Sequence, residues 1–181
     1  MRFKYAFALF IFISVFSQNL RAQEKITGSL ITNFGSTYTV PKLDIPLDIT
    51  QTYEVVFDIS KSPENPSELN PYLNTVARFL NMNHAAGVPQ NQLKPALVIH
   101  GSAAFSLLKN DFYKEKYGVD NPNIELLEQL HKLKIPVVLC GQTAGARDIT
   151  SEKRWQHTQL ALSAMNALIY YQNLNYALIS F

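Results

Sequence analysis

Ala96-Leu97-Val98-Ile99-His100 and Pro136-Val137-Val138-Leu139-Cys140 decide the fold. Each is a short apolar run without polar alternation, the pattern of a strand covered on both faces. Each also ends on a side chain able to do chemistry, His100 or Cys140, followed by a glycine, Gly101 or Gly141. Tyr53-Glu54-Val55-Val56-Phe57-Asp58-Ile59 reads as an earlier strand that stops at the turn Ser60-Lys61-Ser62-Pro63, and Ala177-Leu178-Ile179-Ser180 reads as a last one. Helical spacing fills the intervals. Asn70 before Pro71 is an N-cap followed by proline at the first helical position. Leu73, Val76, Ala77 and Leu80 then recur three and four apart until Gly87. Asn123 is read as the cap of a second helix with Ile124, Leu127 and Leu130 inward. A long helix is expected over roughly Thr158 to Asn173, with Leu160, Ala164, Leu168 and Tyr171 on one side. Strands and helices in alternation imply one doubly wound α/β domain over residues 52–181, with a mainly parallel sheet and helices on both faces.

The remainder of the chain reads differently. Residues 23–51, rich in Thr, Ser, Pro and Asp, form an N-terminal extension with short β-prone pieces; Pro41 and Pro46 keep it from being one long strand. Before it, Arg2 and Lys4 precede the apolar run Ala6–Phe16, and Leu20-Arg21-Ala22 follows. This is the pattern of a secretory signal peptide over residues 1–22. The run is shorter than the ~20 apolar residues that cross a bilayer. The mature chain is therefore expected to be exported, periplasmic or secreted, with no membrane anchor after cleavage. Without Arg2, Lys4 and Arg21, thirteen basic side chains face fourteen acidic ones, so nucleic acid is not an expected partner. A content of 47% hydrophobic and 17% charged residues excludes a disordered tail. One cysteine excludes a disulfide framework and any multi-cysteine metal centre.

Ligands of open parallel sheets bind beyond the carboxyl ends of the strands, which directs attention to Asp58–Pro63, His100–Ala103, Cys140–Arg147 and the chain end. Cys140 is the candidate nucleophile. Backbone N–H groups from Gly141 onward and the dipole of a following helix would favour its thiolate, and Arg147 could add positive charge. The alternative is a small apolar side chain buried in the core. His100 would help deprotonate Cys140 if the two strands are neighbours. Gly101, Gly141, Gln142 and Thr143 complete the candidate binding segment. No G-x-G-x-x-G and no G-x-x-x-x-G-K-[ST] is present, so no cofactor is expected. His84, His131 and His157 lack metal-ligand spacing, so no metal is expected either. Ser102 lies outside a G-x-S-x-G elbow. Tyr170, Tyr171, Tyr176 and Phe181, crowded near the chain end, suggest the core of an interface between copies of the chain.

The stretch from Pro136 to Ile149, PVVLCGQTAGARDI, resembles the cysteine segment of the DsrE/DsrF-like family. So do the helix Leu160–Tyr171 and the ending Tyr176–Phe181. The first half is similar as well, in Val55-Val56-Phe57-Asp58, Asn74–Leu80 and Val98-Ile99-His100-Gly101. The resemblance implies a compact Rossmann-like domain, often assembled into dimers, trimers or hexamers. In its sulfur-relay members of the TusD type, a cysteine at the position matched by Cys140 accepts sulfur as a persulfide and passes it on. It implies a sulfurtransferase or sulfur carrier whose partners are a donor or acceptor protein or polysulfide. Two departures stand out: relay members are cytoplasmic, and their cysteine is followed by a more alanine-rich segment than Gly141-Gln142-Thr143. Beside the carrier stands a non-catalytic oligomeric module that binds a small ligand or protein, with a structural cysteine. A Cys/His hydrolase is a third reading.

Overall fold

The computed structural model describes residues 25–181, so the segment read as a signal peptide lies outside the described residues. The extension contributes two short antiparallel strands, β1 (Lys25–Ile26) and β2 (Thr37–Tyr38). It docks on the first helix among the described residues, α1 (Pro71–Ala85), mainly through two side-chain amides, Asn81 and Asn74, the latter accepting from Gly35 N at 2.7 Å. Asn81 Oδ1 accepts from the N–H groups of Leu30 and Ile31, and its Nδ2 donates to the carbonyls of Ile31 and Phe34. That pairing satisfies backbone groups that burying Ile31 removes from water. Gly35, at φ +62°, passes so close to α1 that a Cβ would sit 2.3 Å from the Ala77 carbonyl carbon.

The main sheet has five strands in the order β6-β5-β4-β3-β7, every pair parallel. They are β3 (Tyr53–Ile59), β4 (Leu93–Ile99), β5 (Val137–Cys140), β6 (Gln159–Ala161) and β7 (Ala177–Ser180). Parallel strands need crossovers, supplied here by α1, α2 (Asn110–Tyr117), α3 (Ile124–Lys132), α4 (Gly141–Ala146) and α5 (Ala164–Asn173). All five strands therefore end along one edge. The doubly wound arrangement is the one expected.

Side chains alternate across the sheet. Phe57, Ile59, Leu97, Ile99, Val137 and Leu139 face a large core with Leu73, Leu80, Leu127 and Leu130 from α1 and α3. Val56, Val98, Val138 and Cys140 face the other way, under Ala164, Ala167 and Tyr171 of α5. Pro95 is accommodated in β4 because pairing with β5 starts only at Leu97, so its missing N–H removes no bond on that side.

Two expectations are corrected. The helix read from Thr158 begins only at Ala164; Gln159–Ala161 instead add β6 to the open edge of β5, and Leu160 is exposed rather than inward. Ser163 sets the boundary, its Oγ accepting from Asn166 N as an N-cap. Asn123 does not cap α3 with its side chain. Its Oδ1 accepts from Asn70 N and its Nδ2 donates to Asn121 Oδ1, while Asn121 Nδ2 donates to the Ser106 and Leu108 carbonyls. Asn70 does cap α1 as expected, accepting from Tyr72 N and Leu73 N, and its Nδ2 also holds Lys61 O and Ser106 Oγ. These buried amides tie together the loops that leave β3 and β4.

Candidate functional site at the strand ends

Ile99 pairs with Leu139, so His100 and Cys140 stand side by side one residue further along β4 and β5. Asp58 pairs with Ser180 across β3 and β7. By alternation from Val56, Val98, Val138 and Leu178, all four side chains rise on the α5 face. The sheet thus presents, from one strand to the next, Cys140, His100, Asp58 and Ser180. His100 Nε2 lies 2.8 Å from Asp58 Oδ1, and Ser180 Oγ donates to Asp58 Oδ2 at 3.2 Å. The ion pair is partly open to water, with side chains 30% and 20% exposed.

Cys140 is only 6% exposed. Its thiol accepts from Thr143 N at 3.5 Å, which makes Cys140 the N-cap of α4. Burial pushes the thiol pKa up, but hydrogen bonds from the Thr143 side chain and from the N–H groups of Thr143, Ala164 and Gln142 outweigh it and hold it below the ordinary thiol value. The Ala164 N–H belongs to the first turn of α5, so two helix starts converge on one sulfur.

Two glycines make this approach possible. A Cβ on Gly141 would meet the Ala161 carbonyl oxygen at 2.6 Å, so only glycine lets the β6–α5 link cross directly over the end of β5. Gly101 sits at φ +56°, and a Cβ there would lie 2.5 Å from the Ser60 carbonyl oxygen. Gly101 N donates to Thr143 Oγ1 at 3.4 Å, and Gln142 Nε2 donates to Leu162 O. Ser62 and Ser102 lock the neighbouring loops, Ser62 N donating to Ser102 Oγ and Ser62 Oγ to Ser102 O.

The structure therefore brings Cys140, His100, Gly101, Gly141, Gln142 and Thr143 together. Arg147 is placed elsewhere: its guanidinium lies 5.0 Å over the Phe105 ring. Sequence reasoning did not single out Asp58 and Ser180 as site residues. Their signal was available in the period of two that sets each beyond an apolar residue of the same face. Ala164 was missed because the preceding stretch was read as helix. His131 and His157, far apart in sequence, stack at 3.5 Å beside Trp155, whose Nε1 donates to Glu128. Among the described residues no group of three or more His, Cys, Asp and Glu side chains could hold a metal ion.

A five-stranded parallel α/β sheet with a hydrogen-bonded thiol at a strand end defines the class. The model of the DsrE/DsrF-like family matches residues 54–181, and the chain belongs to that family. Two solved structures share the fold. A protein of unknown function, MTH1491, from Methanobacterium thermoautotrophicum is 16% identical, with 71% of this chain and 99% of that one covered, at a TM-score of 0.54. The ychN protein from E. coli is 17% identical, with 72% and 100% covered, also at 0.54. No curated protein matches the chain.

Proposed function

We propose that this protein is an exported thiol sulfur carrier that holds sulfane sulfur as a persulfide on Cys140. Family membership points to sulfur relay, and one observation carries the assignment to this residue. The Thr143 N–H bonded to the thiol at the start of α4, with the Thr143 hydroxyl and the Ala164 and Gln142 N–H groups around it, favours the thiolate, the form that attacks sulfur. The sulfur comes from polysulfide or a persulfide-bearing donor protein and leaves to an acceptor. Export rests on the signal-peptide pattern of residues 1–22.

Copies of the chain are proposed to associate through the α5 face. Large apolar side chains there, Leu162, Met165, Ile169 and Tyr170, point to solvent while the small Ala164 and Ala167 point inward.

Incubating the folded mature protein with polysulfide is expected to add one sulfur, a gain of about 32 Da that a thiol reductant removes. Cys140→Ser is expected to abolish the gain. A second reading has its own observation: Cys140 is 6% exposed and packs with Val138 and Ala164. A thiol that stays unmodified in the folded protein and reacts only after denaturation would make the cysteine structural and the protein a binding module.

A further inference from the structure

We infer that Asp58 is a positioning residue that sets His100 to take the proton of the Cys140 thiol; this rests on the carrier reading. Three observations support the assignment. First, the register of β4 and β5 makes His100 and Cys140 lateral neighbours on one face. Second, Asp58 accepts at His100 Nε2, 2.8 Å away. A carboxylate only accepts, so in the neutral ring Nε2 carries the hydrogen and Nδ1 keeps its lone pair. Nδ1 has no hydrogen-bond partner among the described residues. Third, Ser180 Oγ occupies the second carboxylate oxygen, so Asp58 is held from both sides and its orientation is fixed.

The helices packed against this pair bring no charged side chain to it. α4 and α5 carry no charged side chain, Arg147 is over Phe105, and Lys61 is exposed on the loop beyond β3. The titratable side chains in the row are Cys140, His100 and Asp58 among the described residues of these strand ends.

The proton accounting closes without an added oxidant. The Cys140 S–H bond breaks and its proton moves to His100 Nδ1, leaving thiolate and imidazolium beside the Asp58 carboxylate. The thiolate pair attacks the terminal sulfur of a donor persulfide, R–S–SH. The new Cys140 S–S bond forms as the donor's own S–S bond breaks, with R–S⁻ as the leaving group and the R–S bond intact. The departing thiolate takes the proton from Nδ1, giving R–SH and neutral His100, with Cys140 as persulfide. Return of sulfur to an acceptor thiol reverses the sequence with the same groups.

The test is the rate at which iodoacetamide alkylates Cys140 in the folded full-length mature chain, followed from pH 5 to 9. His100→Gln is expected to lower the rate at pH 7 by about 100-fold and to move the midpoint of the pH profile upward. Asp58→Asn is expected to cost about tenfold, with Asp58→Glu recovering part of it. Rates and midpoints for His100→Gln and Asp58→Asn within about twofold of the parent would overturn the assignment while leaving the carrier reading intact if polysulfide still adds sulfur. A His100-dependent profile in a protein that takes up no sulfur would do the reverse. Nitrogen-15 shifts of His100 in the unsubstituted protein give a measurement independent of variant folding. Hydrogen on Nε2 is expected, and hydrogen on Nδ1 in the neutral ring would overturn the proposal.

Discussion

The two faces of the sheet differ in what covers them. Toward α1 and α3, β3 sends Phe57 and Ile59, β4 sends Leu97 and Ile99, and β5 sends Leu139, all almost fully buried. Toward α5 the same strands send Val56, Val98 and Val138, met by two alanines and Tyr171. The thick face buries long side chains and contributes most of the hydrophobic stabilisation. The thin face buries short ones, and its strand ends are where Asp58 and His100 stay partly wet. Chemistry sits where the cover is thin because a reacting group needs both a rigid strand to hold it and an opening to reach it.

The largest expected effect lies on the thick face. Phe57, in edge contact with Phe79 and stacked on Phe181, fills the centre of that core. Phe57→Ala is expected to cost about 3–5 kcal/mol of unfolding free energy, and Val98→Ala on the thin face about 2 kcal/mol, both read by urea denaturation. Equal losses would erase the distinction between the faces.

A smaller effect on stability, with a large one on mass, is expected at the outer side of α5. Met165 is 72% exposed and Ile169 stands one turn away. Changing both to Glu is expected to shift stability within about 1 kcal/mol while converting the proposed oligomer to monomers by light scattering at micromolar concentration. An unchanged mass would move any association elsewhere.

The smallest effect concerns pH. Because the folded thiol titrates below its ordinary value, the native state binds its proton less tightly than the unfolded chain does. Its stabilisation is thus fully present above the unfolded thiol pKa of about 8.5 and is lost as pH falls through the lower folded value. The stability gap between the parent and Cys140→Ser is expected to widen in favour of the parent between neutral pH and pH 9.5. A gap that narrows would place the thiol in a purely desolvating environment.

How far these features were legible depends on their range. The strands β3 and β7, the Asn70 cap and the start of β5 are visible because apolar runs, caps and prolines are local chemistry. β6 was hidden: Gln159–Ala161 has three residues and an exposed burial pattern, so only the vacant edge of β5 makes it a strand. Asn123 has a cap's identity, yet Asn70 and Asn121 compete for its amide from other segments.

Cys140 could be singled out from the sequence alone, through its place at the end of a buried run before glycine. The groups that follow it in the chain, Gly141 to Thr143, were legible too, whereas those brought in from other strands were legible only in part. Ala164 and Asp58 reach the site only through strand order and register, and hydrogen bonds between residues as distant in the chain as Asp58 and Ser180 leave no periodic trace. Composition and periodicity determine which segments bury and how each one coils, because those energies are summed over neighbouring residues. The pairing of β4 with β5 and β3 with β7 decides which ends meet, because that choice is made by the packing of the whole sheet between its unequal layers.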